Sequence, residues 1–264
     1  MTAPHLKKLE RIRLGYYQSE RSSTDLPMKD KLPQDVSTHY KEIVKRLKFL
    51  GDPEAVKGMA RYGINPSAAY GVSIPELRRI ATTAKKNHSL AEMLWSSGIH
   101  EARILASMID DPGQVNEEQM EQWVMDFNSW DLCDQCCNNL FRKVEHAHDK
   151  AVEWSSRREE FVKRAGFVLM ACLAVHDKIA QDEAFLKFMP IIKKESADSR
   201  NFVKKAVNWA LRQIGKRNQR LNQEALRTAH EIDRTGAGAA QWIASDAIRE
   251  LADERVQKRL ASSN

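Results

Sequence analysis

Asp126-Phe127-Asn128-Ser129-Trp130-Asp131-Leu132-Cys133-Asp134 carries the chain from a polar connection into an apolar helical pattern. Ser129 is a candidate N-cap, since a short side-chain oxygen there accepts from the free amides of the first turn. A helix starting at this point places Trp130 and Asp134, four residues apart, on one face. The same opening signal recurs on both sides. Asp52-Pro53 reads as a cap followed by an N1 proline. Ser73-Ile74-Pro75-Glu76 and Ser89-Leu90-Ala91-Glu92 read as capping boxes, and Asn116 and Asp253 as further caps. Helical patterns of about 10–18 residues separated by short connections run along the chain, with no sustained period-two alternation. The expected fold is all-α: a HEAT-like helical-repeat solenoid of stacked antiparallel helix pairs, with a period of about 40 residues.

Bulk properties narrow the class. The 264 residues are 42% apolar and 30% charged, the balance of a helix-rich chain with one sizeable core. No run of about 18 uncharged apolar residues occurs, so no membrane span is expected. The N-terminus lacks the apolar segment of a secretion signal. Four cysteines, Cys133, Cys136, Cys137 and Cys172, show no framework spacing, and a reduced, intracellular protein is the expectation. Residues 1–34 are polar, basic and broken by Pro4, Pro27 and Pro33. They are expected to form a mobile arm, and residues 35–264 a single helical-repeat domain.

The formal net charge is +6. Between Lys193 and Arg220 nine Lys and Arg stand against two carboxylates, Glu195 and Asp198, a local excess of +7. A stripe of this kind is the footprint of a phosphate-backbone binder. On a curved helical stack it would make a concave basic face.

Three features offer chemistry. From Asn201 to Lys216, Val203, Val207, Ala210 and Ile214 make an apolar stripe, with Lys205, Trp209, Arg212 and Lys216 nearly opposite. Trp209 either packs under a neighbouring helix beneath lysine stems, or meets a sugar or base while Lys204, Lys205, Arg212, Lys216 and Arg217 hold phosphates. From Glu159 to Val175, Arg164 lies in or beside the seam of Phe161, Ala165, Val168 and Cys172. A buried guanidinium needs a carboxylate, and Asp134 is one helical hairpin upstream. That pair is either a structural tie between helices or an arginine that orients Asp134 and keeps it ionised. Trp130 and Asp134 in turn read as core plus cap, or as a site where a fixed carboxylate supports a cationic sugar flanked by aromatic faces.

Other constellations fail. Cys133-x-x-Cys136-Cys137 is half a zinc site without a second pair, and these thiols read as small core residues. His100-Glu101 has Ile104 where a zincin carries its second histidine. No phosphate-loop, dinucleotide or nucleophile-elbow motif occurs. No metal ligand set is expected.

Tyr70-Gly-Val-Ser-Ile-Pro-Glu-Leu-Arg78, Ser129-Trp-Asp-Leu-Cys-Asp134, Lys163-Arg164-Ala165 and Lys204-Lys-Ala-Val-Asn-Trp-Ala-Leu-Arg212 together resemble the HEAT-like-repeat DNA alkylation repair glycosylases of the AlkD type. They run in that family's order from about residue 40 to 260, most of the chain. The resemblance implies excision of N3- and N7-alkylated purines from duplex DNA, without metal or nucleotide cofactor and without full flipping of the base. Carried over by motif, Trp130 and Trp209 flank the deoxyribose and Asp134 supports the cationic sugar and its water. Arg164 lies close to Asp134 and the lesion-strand backbone. A monomer is the default for a protein that must wrap DNA, and the expected location is the cytoplasm, on the nucleoid, or a nucleus if the source is eukaryotic. On the residues alone two other classes stay open: a non-catalytic DNA-binding helical-repeat protein with Trp130, Asp134 and Arg164 structural, and a protein-interaction solenoid with a basic surface.

Overall fold

The first described helix, α1 (Gln34–Phe49), buries Val36, Ile43 and Leu47 at helical spacing. The computed structural model describes residues 34–236 and 238–262. The arm expected over residues 1–34 lies outside them, apart from Gln34. α2 (Pro53–Met59) starts as its cap demands: Asp52 Oδ1 accepts from the Glu54 and Ala55 amides at 2.9 and 3.2 Å. A 3-10 turn, Ala60–Tyr62, follows and ends at Gly63 with φ of 73°, a left-handed conformation that any side chain makes costly.

The remaining helices are α3 (Ile74–Ala84), α4 (His88–Ser96), α5 (His100–Ile109), α6 (Glu117–Met125), α7 (Trp130–Asn139), α8 (Ala147–Ser155) and α9 (Glu160–His176). They continue as α10 (Asp182–Leu186), α11 (Met189–Glu195), α12 (Asn201–Gly215), α13 (Gln219–Asp233), α14 (Gly238–Leu251) and α15 (Glu254–Ala261). Among the described residues there is no strand. Helices α5, α7, α9, α12 and α14 pack in a row, each against the next. Behind them α4, α8 and α13 back onto α5, α9 and α14. This is the helical-repeat stack expected from the cap rhythm.

Two details differ from expectation. The row begins at His100, Trp130, Glu160, Asn201 and Gly238, so its first two intervals are 30 residues and the next two 41 and 37. The wider repeat contains both α10 and α11, where a single helix backs each of the shorter ones. The second difference concerns caps. α4 is capped by Asn87, which accepts from the Leu90 amide at 3.0 Å, and Ser89 lies inside the first turn. Asparagine caps as well as serine and stands two residues earlier. Ser73 holds the cap position of α3 without a side-chain bond, and Glu76 pairs with Arg79 instead of closing the box. Asn116 and Asp253 cap α6 and α15 as read.

The middle of the stack is α9, buried on every side from Val162 to Ala174. It approaches α8 so closely that a Cβ on Gly166 would lie 2.4 Å from the Ser155 amide nitrogen. Polar ties pin successive row helices about one repeat apart. His100 Nε2 meets Asp131 Oδ2 at 2.8 Å, and Asn139 donates to Ser107 Oγ at 3.2 Å. The buried Glu101 carboxylate accepts from the amides of Tyr70, Gly71 and Val72, which anchors the loop ahead of α3. These ties fix row register, and register sets which side chains share a cleft.

Candidate functional site

Helix α7 enters through Ser129 in extended conformation, with its hydroxyl off the first-turn amides. Its N-terminus is held instead by Asp131 to His100 and by the Trp130 indole, whose Nε1 donates to the Tyr62 carbonyl at 2.8 Å. One turn on, Asp134 meets Arg164 of α9 in a two-pronged pair: Nε to Oδ1 at 2.9 Å and Nη2 to Oδ2 at 2.8 Å. The third prong, Arg164 Nη1, donates to the Phe202 carbonyl at the start of α12, at 2.6 Å. One guanidinium thus joins three consecutive row helices.

Phe202 also receives the loop from α2. A Cβ on Gly63 would lie 2.5 Å from Phe202 Cζ, so glycine is required there for space as well as for φ. The loop presents Tyr62, 73% exposed, at the edge of the site. Nothing in the sequence linked Tyr62 and Phe202 to Asp134. Gly63-Ile64-Asn65-Pro66 is legible as a turn, but where a turn lands is set by the helices on either side.

Two clefts meet at Trp130 and Asp134. One, about 590 Å³, runs toward the C-terminal ends of α7 and α9 and is lined by Trp130, Asp134, Asn138, Cys172, His176 and Trp209. The other, about 660 Å³, runs the opposite way and is lined by Tyr62, Trp130, Asp134, Arg164, Phe202 and Lys205. Trp130 and Trp209 are half-buried, and each keeps ring surface on a cleft. The Asp134 carboxylate is 19% exposed and Arg164 only 7%. Burial pushes the Asp134 carboxyl above its ordinary value, while the charge and hydrogen bonds of Arg164 pull it down. The sequence left open whether Arg164 is a structural tie or keeps this carboxyl ionised; Arg164 does pull it down, but desolvation is the larger effect. Burial pushes the Cys172 thiol up to about 12, so the sulfur facing the cleft is a thiol at neutral pH and a poor nucleophile. Cys133, Cys136 and Cys137 are buried, with Cys133 and Cys137 directed at the Phe161 and Ala165 carbonyls of α9.

The model of the DNA alkylation repair enzyme family matches residues 43–251. The chain belongs to this family. It is 26% identical over 132 residues to an uncharacterized protein of Listeria innocua serovar 6a, a match covering 48% of this chain and 59% of that protein. It also superposes with a TM-score of 0.64 on a solved protein of a family described as related to the HEAT-like repeat DNA glycosylases, with affinity for branched DNA structures. That likeness covers 73% of this chain and 82% of the other at 24% identity, and it shows the HEAT-like fold.

The remaining site residues expected for this family member scatter. Val203, Val207, Ala210 and Ile214 form the buried stripe of α12, as its periodicity requires. Lys205 is exposed on the second cleft, where Arg61 is also exposed. Lys204 lies over the Trp242 ring, 4.9 Å from its centroid. Arg212 and Lys216 both pair with Glu250 of α14. Arg217 turns inward, donating to the Ala174 and Ala180 carbonyls at 3.1 and 2.9 Å and covering the Phe185 ring. Of the five cations, Lys205 alone lines either cleft. Among the described residues no helix is long and apolar enough to cross a membrane.

Proposed function

We propose that this chain is a DNA glycosylase that hydrolyses the N-glycosidic bond of cationic N3- and N7-alkylated purines in duplex DNA. The observation that carries this reading is Asp134, oriented by both prongs of Arg164 and open to clefts that also hold Trp130 and Trp209. The bond between C1′ and the base breaks with its electron pair leaving on the base, which alkylation has already made cationic. The base departs neutral and needs no general acid. Positive charge develops on C1′ and the ring oxygen, and a preoriented carboxylate stabilises it. The indole faces add quadrupole attraction to the same charge. Water adds to C1′ and loses its proton to Asp134, which returns it to solvent. The products are the free alkylpurine and an abasic deoxyribose.

In this reading Lys205 and Arg61 contact phosphates beside the second cleft. Arg212, Lys216 and Arg217 act mainly within the fold. Residues 35–264 carry the activity as a monomer, and the reaction uses no metal or nucleotide. The test is release of 7-methylguanine and 3-methyladenine from methylated duplex DNA, wild type beside Asp134→Asn. Release by wild type and its loss in the variant support the reading; no release by a wild-type protein that binds DNA overturns it. A second reading, a non-catalytic binder of branched DNA, draws support from the affinity described for the superposing family. It expects no base release and tighter binding to a four-way junction than to a duplex.

A further inference from the structure

The run from Lys193 to Arg220, so dense in charge along the sequence, is largely neutralised by the fold. Lys193 pairs with Glu231, Arg200 with Asp198, Arg212 and Lys216 with Glu250, and Arg220 with Glu183. A different group of cations is left without carboxylates. Arg142 and Lys143 lie in the 3-10 turn Phe141–Lys143 that follows α7. His176 ends α9, and the exposed Lys178 follows it closely. Among the described residues neither Arg142, Lys143 nor Lys178 forms an ion pair, and Lys86 reaches only Asp111, at 3.6 Å.

These groups are one another's electrostatic neighbours. Burial lowers the pKa of Lys143, and Arg142 and Lys86 lower it further. Burial likewise lowers His176, with Arg142, Lys178 and Lys143 adding to the effect. Like charges gathered this way repel in the free protein, and a polyanion relieves the repulsion.

Position links the group to the site. Asn138, whose carbonyl accepts from Arg142 Nε at 2.6 Å, lines the cleft of Asp134 and Trp209, and so does His176. Arg142 and Lys143, just after α7, and Lys178, just after α9, therefore lie beyond the cleft-lining Asn138 and His176, where α7 and α9 end. Arg164 and the second cleft lie toward the other end of α9, about 18 Å away along its axis. Basic side chains also collect at helix C-termini to satisfy carbonyls and the dipole. Arg142 does so through Asn138; Lys143 and Lys178 make no such hydrogen bond among the described residues.

We propose that Arg142, Lys143 and Lys178 form a phosphodiester-binding rim, which holds DNA backbone passing the cleft at the C-terminal ends of α7 and α9. The proposal rests on DNA being the ligand of the site, and its test separates the two. Affinity for an undamaged duplex is measured by anisotropy between about 50 and 200 mM KCl for the wild type and for Lys143→Gln/Lys178→Gln. Arg142 is kept because it also holds Asn138. Each lost phosphate contact removes about 0.9 from the slope of log affinity against log salt, so the double variant loses about 1.8. The control Lys193→Gln/Lys258→Gln removes lysines already paired with Glu231 and Glu254, and keeps the wild-type slope. A rim variant that binds with the wild-type slope overturns the rim and leaves the DNA reading standing. A wild type with no affinity at about 50 mM salt overturns the DNA reading, and the rim with it.

Discussion

Arg164 and Asp134 face each other fork to fork, with two nearly parallel hydrogen bonds and little solvent around either group. A pair of this kind holds the carboxylate in one orientation, because rotating it breaks both bonds together. It also makes each partner costly to remove, since the survivor is a buried charge without its counter-ion.

Asp134→Asn therefore has two consequences. On the proposed function, excision of methylated purines falls by about 10²-fold or more, because the developing sugar cation loses its fixed negative charge. Stability falls by about 3 kcal/mol, because Arg164 keeps its charge in a buried place. Single-turnover base release and urea unfolding measure the two separately. An excision rate equal to wild type, in a folded variant, removes Asp134 from the chemistry.

In the proposed reaction the acid limb of excision follows the Asp134 carboxyl. Burial raises its pKa above 3.8, and the reaction needs the carboxylate, so activity is lost as pH falls through that raised value. Arg164→Lys keeps a charge but gives up the two-pronged grip, weakening the downward pull and moving the limb to higher pH. Rate profiles of the two proteins check the direction. Superimposable acid limbs assign the titration to another group.

Gly63→Ala disturbs the site from a distance. The new methyl group meets the Phe202 ring and the backbone stays in a left-handed conformation. A cost of about 1–2 kcal/mol comes from the conformation alone, with the clash added to it. The Tyr62 carbonyl moves off the Trp130 indole, so thermal stability and excision both decrease. Unchanged values for both argue that the loop ahead of α3 is free to adjust.

Stability toward acid depends on Asp131. Burial pushes its carboxyl up, but the hydrogen bond and charge of His100 outweigh that and hold it below 3.8. A carboxyl depressed in the folded state contributes stability above its unfolded pKa, and the contribution disappears as pH falls through the folded value. Asp131→Asn flattens the melting-temperature profile below about pH 4 relative to wild type. Parallel profiles assign the acid sensitivity elsewhere.

In the proposed reaction the Trp130 and Trp209 rings act on the same developing charge. Replacing either with leucine removes a π face worth about 1–2 kcal/mol in a desolvated setting, or roughly tenfold in rate. Trp130→Leu has the larger effect on stability as well, because the indole bond to Tyr62 goes with the ring. Equal excision by both variants and wild type makes the rings packing residues only.

The all-α stack was legible in the sequence by itself because caps and the 3.6-residue apolar period are local: Asp52, Asn116 and Asp253 need only their own first turns. The shared face of Trp130 and Asp134 follows from the same geometry. The Asp134–Arg164 pair was open as a structural or a functional tie, because a charge requirement names a partner type while helix packing supplies the partner. Lys193–Arg220 shows the limit most clearly. Nine cations in sequence look like a binding face, yet Glu231, Glu250 and Glu183 come from other helices and pair with Lys193, Arg212, Lys216 and Arg220, which no local reading connects to them. Tyr62, Gly63 and Phe202 gather at the site only because α9 ties α7 to α12 and the loop after α2 reaches both Trp130 and Phe202. Charge and contact act through space, and the tertiary structure alone decides which residues are neighbours there.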